Sequence, residues 1–396
     1  MLDERKEMLG DHVISAVKTF RIRNRYHRLN GKNSRRGEHA YGDEFIAKMI
    51  LTDRGVSGWG LATSKAFWND WDAVCRYDRE LAGKRVSELL DPAVGILDDI
   101  YRMYDFALHD LAGNILQQPV YRMIGNAGTN PLKVYDGGIL LDDISPENAP
   151  GGLKRILEEC STDYRMGYRD FKLKIGRAPK WMDWKDGLKR DIEVTRLVRE
   201  TYPGACIMVD ANDAYTVEYM KEYVDAVADC GLYWIEEPFR EDEKNLRSLK
   251  EHLAKRSPGT LIADGESRFI VPDVVSLARK GLIDIVQMDI EYLGFTEWRR
   301  LIPELEDANV RISPHNWGFG LKTRYTASLG AGYPLMDFIE GVIDETEGVI
   351  TDAYAVADGK IIVPELPGFG MKLVWGQDLE EFIRLEKANY KATANV

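Results

Sequence analysis

The sequence predicts an α/β protein: a (β/α)₈ barrel with an N-terminal α+β capping domain that the C-terminal segment completes. Three observations predict it. From residue 132 onward, eight short apolar runs alternate with stretches of helical spacing: KVYDGGIL, FKLKIG, ACIMVDAN, LYWIEEP, LIADGES, DIVQMDI, RISPHNWG and MDFIEG. Such alternation marks parallel βα units, and eight of them close a barrel. Second, most of these runs end in a polar residue, giving Lys172 and Lys174, Asp210, Glu236, Glu266, Asp289, His315 and Glu340. One polar group thus arrives per βα unit, where a barrel builds its active-site face. Third, the first part of the chain keeps a different rhythm. VISAVKTFRI and FIAKMILTD alternate as strands do, DRG and GWG punctuate a hairpin, and DDIYRMYDFALHDLAGNIL has helical spacing. The predicted domains are a cap over residues 1–130, a barrel over 131–354, and a segment over 355–396 whose strand KIIVPEL and polar tail pack back on the cap.

The 396 residues exceed one simple domain and accommodate a barrel with a smaller partner. A net charge of −12 argues against a nucleic-acid partner, which calls for a basic face. No apolar run approaches the ~18 residues of a membrane span, so no membrane partner is expected. Cys75, Cys160, Cys206 and Cys230 form no CxxC pair and read as reduced thiols of a cytosolic protein. The charged N-terminus MLDERKEMLGDHV has no apolar core of a signal peptide, so the expected location is cytoplasmic.

Asp210, Glu236 and Glu266 end three successive strands. Each acid alone reads more simply as a helix cap or a surface ion pair. Three converging in one mouth repel one another unless a cation sits among them. Carboxylate oxygens with positions left for water and substrate suit one Mg²⁺ ion better than zinc. Glu237 adjoins this set, but strand alternation turns it to the opposite face as a structural residue. In Phe171-Lys172-Leu173-Lys174-Ile175 both lysines share a face. On an outer sheet they would be wet. Inside a barrel they enter the centre, where each ammonium depresses the other's pKa and makes one a base near neutral pH. His315 follows Asp289 by one strand, and a carboxylate beside an imidazole fixes its tautomer and raises its basicity.

The Lys172-x-Lys174 pair, VDAN at 209–212, IEEP at 235–238, DGES at 264–267, Asp289 followed by Gly294, and His315 occur in order. DFIEG at 337–341, PELPGFG at 364–370 and the capping stretch ALHDLAGNILQQPVYRMIG extend the pattern over nearly the whole chain. Together they resemble the enolase superfamily, specifically its mandelate racemase-like group. The resemblance implies Asp210, Glu236 and Glu266 as Mg²⁺ ligands. It implies Lys174 as the base on one face of the substrate, with Lys172 binding the carboxylate. It implies His315, held by Asp289, on the opposite face. Glu340 would hydrogen-bond a carboxylate oxygen of the intermediate, and Asn212 would lie near the substrate. Capping domains of this kind pack between subunits, so a homo-oligomer is expected. Gly294-Phe295, where the family often has two glycines, and Tyr292, where some members have a lysine, depart from the pattern, outside the predicted chemistry.

Groups on two faces serve racemisation or epimerisation of a 2-hydroxy acid as well as dehydration. The loop at 24–43 favours dehydration of an acid sugar (an aldonate or aldarate) to a 2-keto-3-deoxy acid. It carries Asn24, Arg25, Tyr26, His27, Arg28, Asn30, Lys32, Asn33, Arg35, Arg36 and His39, a set suited to a polyhydroxylated anion, with Arg25 and His27 as candidate substrate contacts. The alternative is a solvated loop that meets no ligand. A barrel hydrolase would need several histidine ligands where this barrel offers one. A non-catalytic scaffold would have no reason to keep lysines, acids and dyad together.

Overall fold

The computed structural model describes residues 2–29, 31–37, 41–63, 74–267 and 270–374. The alternation in the first part of the chain becomes an antiparallel sheet of β1 (Ile14–Tyr26), β2 (Glu44–Thr52) and β3 (Ser57–Leu61), paired in that order. Helix α1 (Asp105–Leu116) lies on it, buried along all its residues except Asn114. Gly58 permits that approach, because a Cβ there would overlap the Leu111 backbone.

All eight apolar runs form parallel strands: β4 (Leu132–Ile139), β5 (Asp170–Lys174), β6 (Ile207–Asp210), β7 (Trp234–Glu236), β8 (Leu261–Asp264), β9 (Ile285–Val286), β10 (Arg311–Ile312) and β11 (Ile339–Gly341). Each pairs with its sequence neighbour from β4 to β10, and β11 pairs with β4. A parallel bridge from Ile312 to Met336 joins β10 to the chain entering β11 and closes the barrel. Helices α2 (Gly152–Arg165), α3 (Trp184–Thr201), α4 (Val217–Val227), α5 (Glu243–Arg256), α6 (Val271–Arg279), α7 (Phe295–Asp307) and α8 (Gly320–Gly332) alternate with the strands.

Strand period two sorts the side chains. Phe171, Leu173, Val209, Ile235, Ile262 and Val286 join the large core. Tyr135, Met208, Trp234, Ala263, Ile285 and Phe338 form a separate cluster with inward-facing register. Lys172 and Lys174 share that register and are buried.

Among the described residues no helix follows β11. Strand β12 (Asp344–Thr346) joins the capping sheet antiparallel to β1. A hairpin of β13 (Ala355–Ala357) and β14 (Lys360–Ile362) then pairs with the start of β4. Further on, Phe369 donates its amide to Asp110 at 2.8 Å and sets its ring against Phe106 and Tyr325. The polar tail from residue 375 lies outside the described residues. Among the described residues, no helix is long and apolar enough to cross a membrane.

Arg177, fully buried three residues beyond Lys174, ties this end of the barrel together. Its guanidinium pairs with Asp143 at 2.5 Å and with Asp191. Asp191 also accepts from the Gly176 amide and the Tyr215 hydroxyl. Removing the guanidinium takes the shared cation from two buried carboxylates, leaving Asp143 with Arg190 at 3.2 Å and Asp191 with only neutral donors. Arg177→Met is therefore expected to cost about 3–5 kcal/mol in equilibrium urea unfolding. A cost within experimental error would show that the cluster relaxes or takes up water.

Candidate active site

The polar strand ends converge at one mouth. Asp210, Glu236 and Glu266 each place one carboxylate oxygen so that the three lie within 4.8 Å of one another. Asp210 and Glu236 are fully buried, while Glu266 is partly open. Glu266 Oε2 is buried without a hydrogen-bond partner. An all-carboxylate donor set containing such an oxygen fits a hard divalent cation. The supporting contacts are built in. Glu236 Oε2 accepts from the Trp234 indole at 3.1 Å and from Gln287 at 3.0 Å, and Asp210 Oδ1 accepts from the Asn212 amide at 2.8 Å. Neither Trp234 nor Gln287 stands out in the sequence as a site residue. Their signal was the strand register that they share with the acids.

The lysines answer the acids. Lys172 Nζ lies 2.7 Å from both Glu236 and Glu340 and 3.7 Å from Asp210. Lys174 forms a short ion pair with Asp210 and donates to Asn212 Oδ1 at 3.0 Å. The expectation that two ammonium groups hold Lys174 near neutral pH is not met by the polypeptide alone. Burial lowers its pKa and Lys172 lowers it further, but Asp210, Glu266 and Glu236 outweigh both and the net shift is upward.

His315 Nδ1 lies 2.8 Å from Asp289 Oδ2, and its Nε2 lies 3.5 Å from Glu266. Asp289 caps the short turn after β9, accepting from the Glu291 and Tyr292 amides. Burial lowers the His315 pKa, but Glu266, Glu340 and Asp289 reverse the sign. Glu340 accepts the amides of Asn316 and Trp317 at 2.7 and 2.9 Å. Burial alone would raise its carboxyl. Lys172 and His315 instead bring it down to about 2. In the polypeptide alone Glu340 is therefore an anionic acceptor, and donation to a substrate carboxylate is not what its surroundings favour.

A cavity of about 550 Å³ opens above these groups. Lys174, Asn212, Glu266, Asp289 and His315 line it from the barrel, with Tyr292 and Trp317. The capping side contributes Asn33, Arg35, Arg36, Asp43, Glu44 and Phe45. Arg25 and His27 are not in the lining. Strand β1 runs to Tyr26, so alternation turns Asn24 and Tyr26 inward and Arg25 out to solvent. His27 bonds Asp163 at 3.2 Å and the Ile343 carbonyl at 3.3 Å, beside Arg28. Asn30 and His39 lie outside the described residues.

Two further expectations are corrected. Tyr292, placed outside the chemistry by the sequence, lines the cavity. Glu237 does not face away from the site. It follows the last residue of β7 with φ +39°, and that turn returns its carboxylate to Asn212, Arg35 and the Ser267 amide.

The chain belongs to the family described as Enolase C-terminal domain-like, which matches residues 155–377, and with it to the mandelate racemase-like group of the enolase superfamily. It is an enzyme whose relatives include a dehydratase and a cycloisomerase of sugar acids. A galacturonate dehydratase from Geobacillus sp., crystallised with D-galacturonate and 5-keto-4-deoxy-D-galacturonate, is 30% identical with a TM-score of 0.86, over 95% of this chain and 98% of that one. A mandelate racemase/muconate lactonizing protein from Geobacillus sp. Y412MC10, complexed with magnesium and tartrate, is 29% identical with a TM-score of 0.85, over 95% and 96%. The 3,6-anhydro-alpha-L-galactonate cycloisomerase of Streptomyces coelicolor is 28% identical over 285 residues, 71% of this chain and 70% of that one.

Proposed function

We propose that the chain is a magnesium-dependent dehydratase of a sugar acid, removing the proton α to the carboxylate and expelling the β-hydroxyl as water. The observation that supports this most is the placing of two proton-transfer groups about one cavity. Lys174 enters from the second barrel strand and His315 from the end of the seventh, on either side of the strands that carry the acids. Asp210, Glu236 and Glu266 would hold Mg²⁺, which when bound neutralises their charge and stabilises negative charge developing on the substrate carboxylate.

With Mg²⁺ bound, those acids would no longer hold a proton on Lys174, and Lys174 as the neutral amine then takes the α proton, leaving an enediolate. Lys172 supplies a fixed positive charge beside it, and Glu340 keeps that ammonium in place. His315, with Nδ1 held by Asp289, gives the Nε2 proton to the departing hydroxyl. The bond from the β carbon to oxygen breaks, water leaves, and the enol tautomerises to the keto acid. Arg35 and Arg36 place positive charge at the capping side of the cavity, where the distal part of a sugar acid would lie. The sequence pointed to an aldonate or aldarate. The likeness to a galacturonate dehydratase adds the hexuronates to the candidates.

The test is proton NMR in D₂O with Mg²⁺ over uronates, aldonates and aldarates. The expected result is loss of an α-proton signal with growth of a deoxy-keto acid. Deuterium exchange without net product would overturn dehydration in favour of racemisation or epimerisation. The same spectra from Lys174→Ala serve as the control.

A further inference from the structure

Helix α8 is made largely of small and apolar residues and is buried along nearly its whole length. Within its first turn stands Lys322, with a side chain only 1% exposed. A buried ammonium is costly unless it is paired and hydrogen-bonded, and a residue such as leucine would fill the same space without that cost. Lys322 Nζ donates to Asp289 Oδ2 at 2.6 Å. His315 Nδ1 meets the same oxygen at 2.8 Å. Asp289 Oδ1 is engaged by the Glu291 and Tyr292 amides at 2.9 and 3.1 Å. Three donors, the Lys322 ammonium and the two amides, therefore fix the plane of this carboxylate and require it to accept, and His315 Nδ1 meets the oxygen that Lys322 holds.

The other groups that face Lys322 do not replace this contact. Glu291 and Glu340 add negative charge around it, and Glu340 is already bound to Lys172 and to the Asn316 and Trp317 amides. The Phe45 ring lies 6.0 Å away. Asp289 is buried. Burial favours the neutral acid, and Lys322 is the foremost group that opposes it. A neutral Asp289 would have a proton to donate, and the nearest free acceptor would be His315 Nδ1. The imidazole would then hold its one proton on Nε2 and, with no carboxylate to hold a second on Nδ1, would lose the doubly protonated form from which Nε2 gives a proton while Nδ1 keeps its own.

We propose that Lys322 is a positioning residue for the His315 step: its buried ammonium keeps Asp289 an anionic acceptor, which retains the Nδ1 proton of His315 and leaves Nε2 to serve the substrate. The inference rests on the reading of His315 as the proton donor to the leaving hydroxyl. Lys322 touches neither the cavity nor the reacting atoms, so its effect passes through Asp289.

The test uses Mg²⁺-loaded full-length protein labelled with ¹⁵N-histidine, in which two-bond proton–nitrogen correlations report the tautomer of each imidazole. His315→Asn identifies the His315 signals. In wild type and Lys322→Arg, His315 is expected to show a protonated Nδ1. In Lys322→Met that pattern is expected to shift towards Nε2 protonation. With a substrate found in the NMR survey, kcat for product should fall about 10–100-fold in Lys322→Met, with KM little changed and α-deuterium exchange by Lys174 retained, and Lys322→Arg should recover most of the loss. An unchanged His315 pattern in folded Lys322→Met overturns the proposal. Equal loss of exchange and product, tracking a loss of melting temperature in both variants, overturns it as well. Should Lys322→Met not fold, the Lys322→Met/Asp289→Asn pair removes both charges, and a wild-type His315 pattern there would be equally fatal. A tautomer shift in a protein that turns over no sugar acid would instead count against the dehydratase reading and leave the Lys322 relation standing.

Discussion

Replacing Lys174 with methionine is expected to lower turnover by about 10²–10⁴-fold, the range that a positioned general base contributes. Methionine keeps the length of the side chain and removes only the ammonium. Asp210 loses its short ion pair, yet it keeps the Asn212 amide at 2.8 Å and Lys172 at 3.7 Å. The carboxylate triad should therefore still take up metal. Removing a competing cation should, if anything, favour Mg²⁺, since both answer the same carboxylates. The decisive measurement is α-deuterium exchange from D₂O, which reports the first proton transfer without regard to elimination. Exchange should vanish together with product, while the Mg²⁺-dependent rise in melting temperature persists. Exchange that survives in Lys174→Met would assign the base elsewhere, and loss of the metal response would show that Lys174 serves the site's architecture.

Removing the metal has an effect of comparable size. Chelation should abolish turnover, and Mg²⁺ should restore it. At a hundredfold excess over its Kd, a ligand that binds only the folded chain adds about 2.7 kcal/mol of stability, visible as an upward shift in melting temperature. Glu266→Gln should blunt that shift. Glu266 is the most open of the three acids and carries the unpartnered Oε2, so its amide can be accommodated without stranding a buried charge. Loss of a direct ligand should weaken Mg²⁺ by more than the roughly 10–100-fold typical of removing a supporting partner. A Glu266→Gln protein with wild-type Mg²⁺ affinity would remove this residue from the ligand set.

The barrel was legible in the chain because two periods coincide in it. Apolar runs of strand length recur with the βα unit, and the period of two within each run decides which residues meet helices and which meet the centre. Lys172 and Lys174 show the strength of that rule, and Glu237 shows its limit. Alternation holds only while the strand lasts, and β7 ends at Glu236. The left-handed turn at Glu237 then sends its side chain where a strand would not. The loop was harder for the same reason. Arg25 still obeys the alternation of β1, whereas Asn33, Arg35 and Arg36 reach the cavity through contacts between segments far apart in sequence. Lys322 could have been found. A helix of small residues that reads as buried on every side leaves a lysine nowhere to go, and such a lysine demands a partner.

The capping loop is moored to the barrel by two kinds of contact, and the difference bears on how such a site can change over generations. Ser34 donates to the carbonyls of Ala211 and Asn212, just after the strand-end Asp210. Arg35 instead grips side chains, those of Asp213, Glu237 and Ser267, which sit beside the same three acidic strand ends. A mooring on carbonyls tolerates almost any side chain in the barrel, so drift there does not release the loop. A mooring on side chains must change in concert with its partners. Asn33 Oδ1 accepts the Arg35 and Arg36 amides and so shapes the loop itself. Arg36, which lines the cavity beyond these anchors, is thereby the position freer to vary, and a lineage could acquire a new substrate there while the strand-end acids, Lys174 and His315 stay as they are.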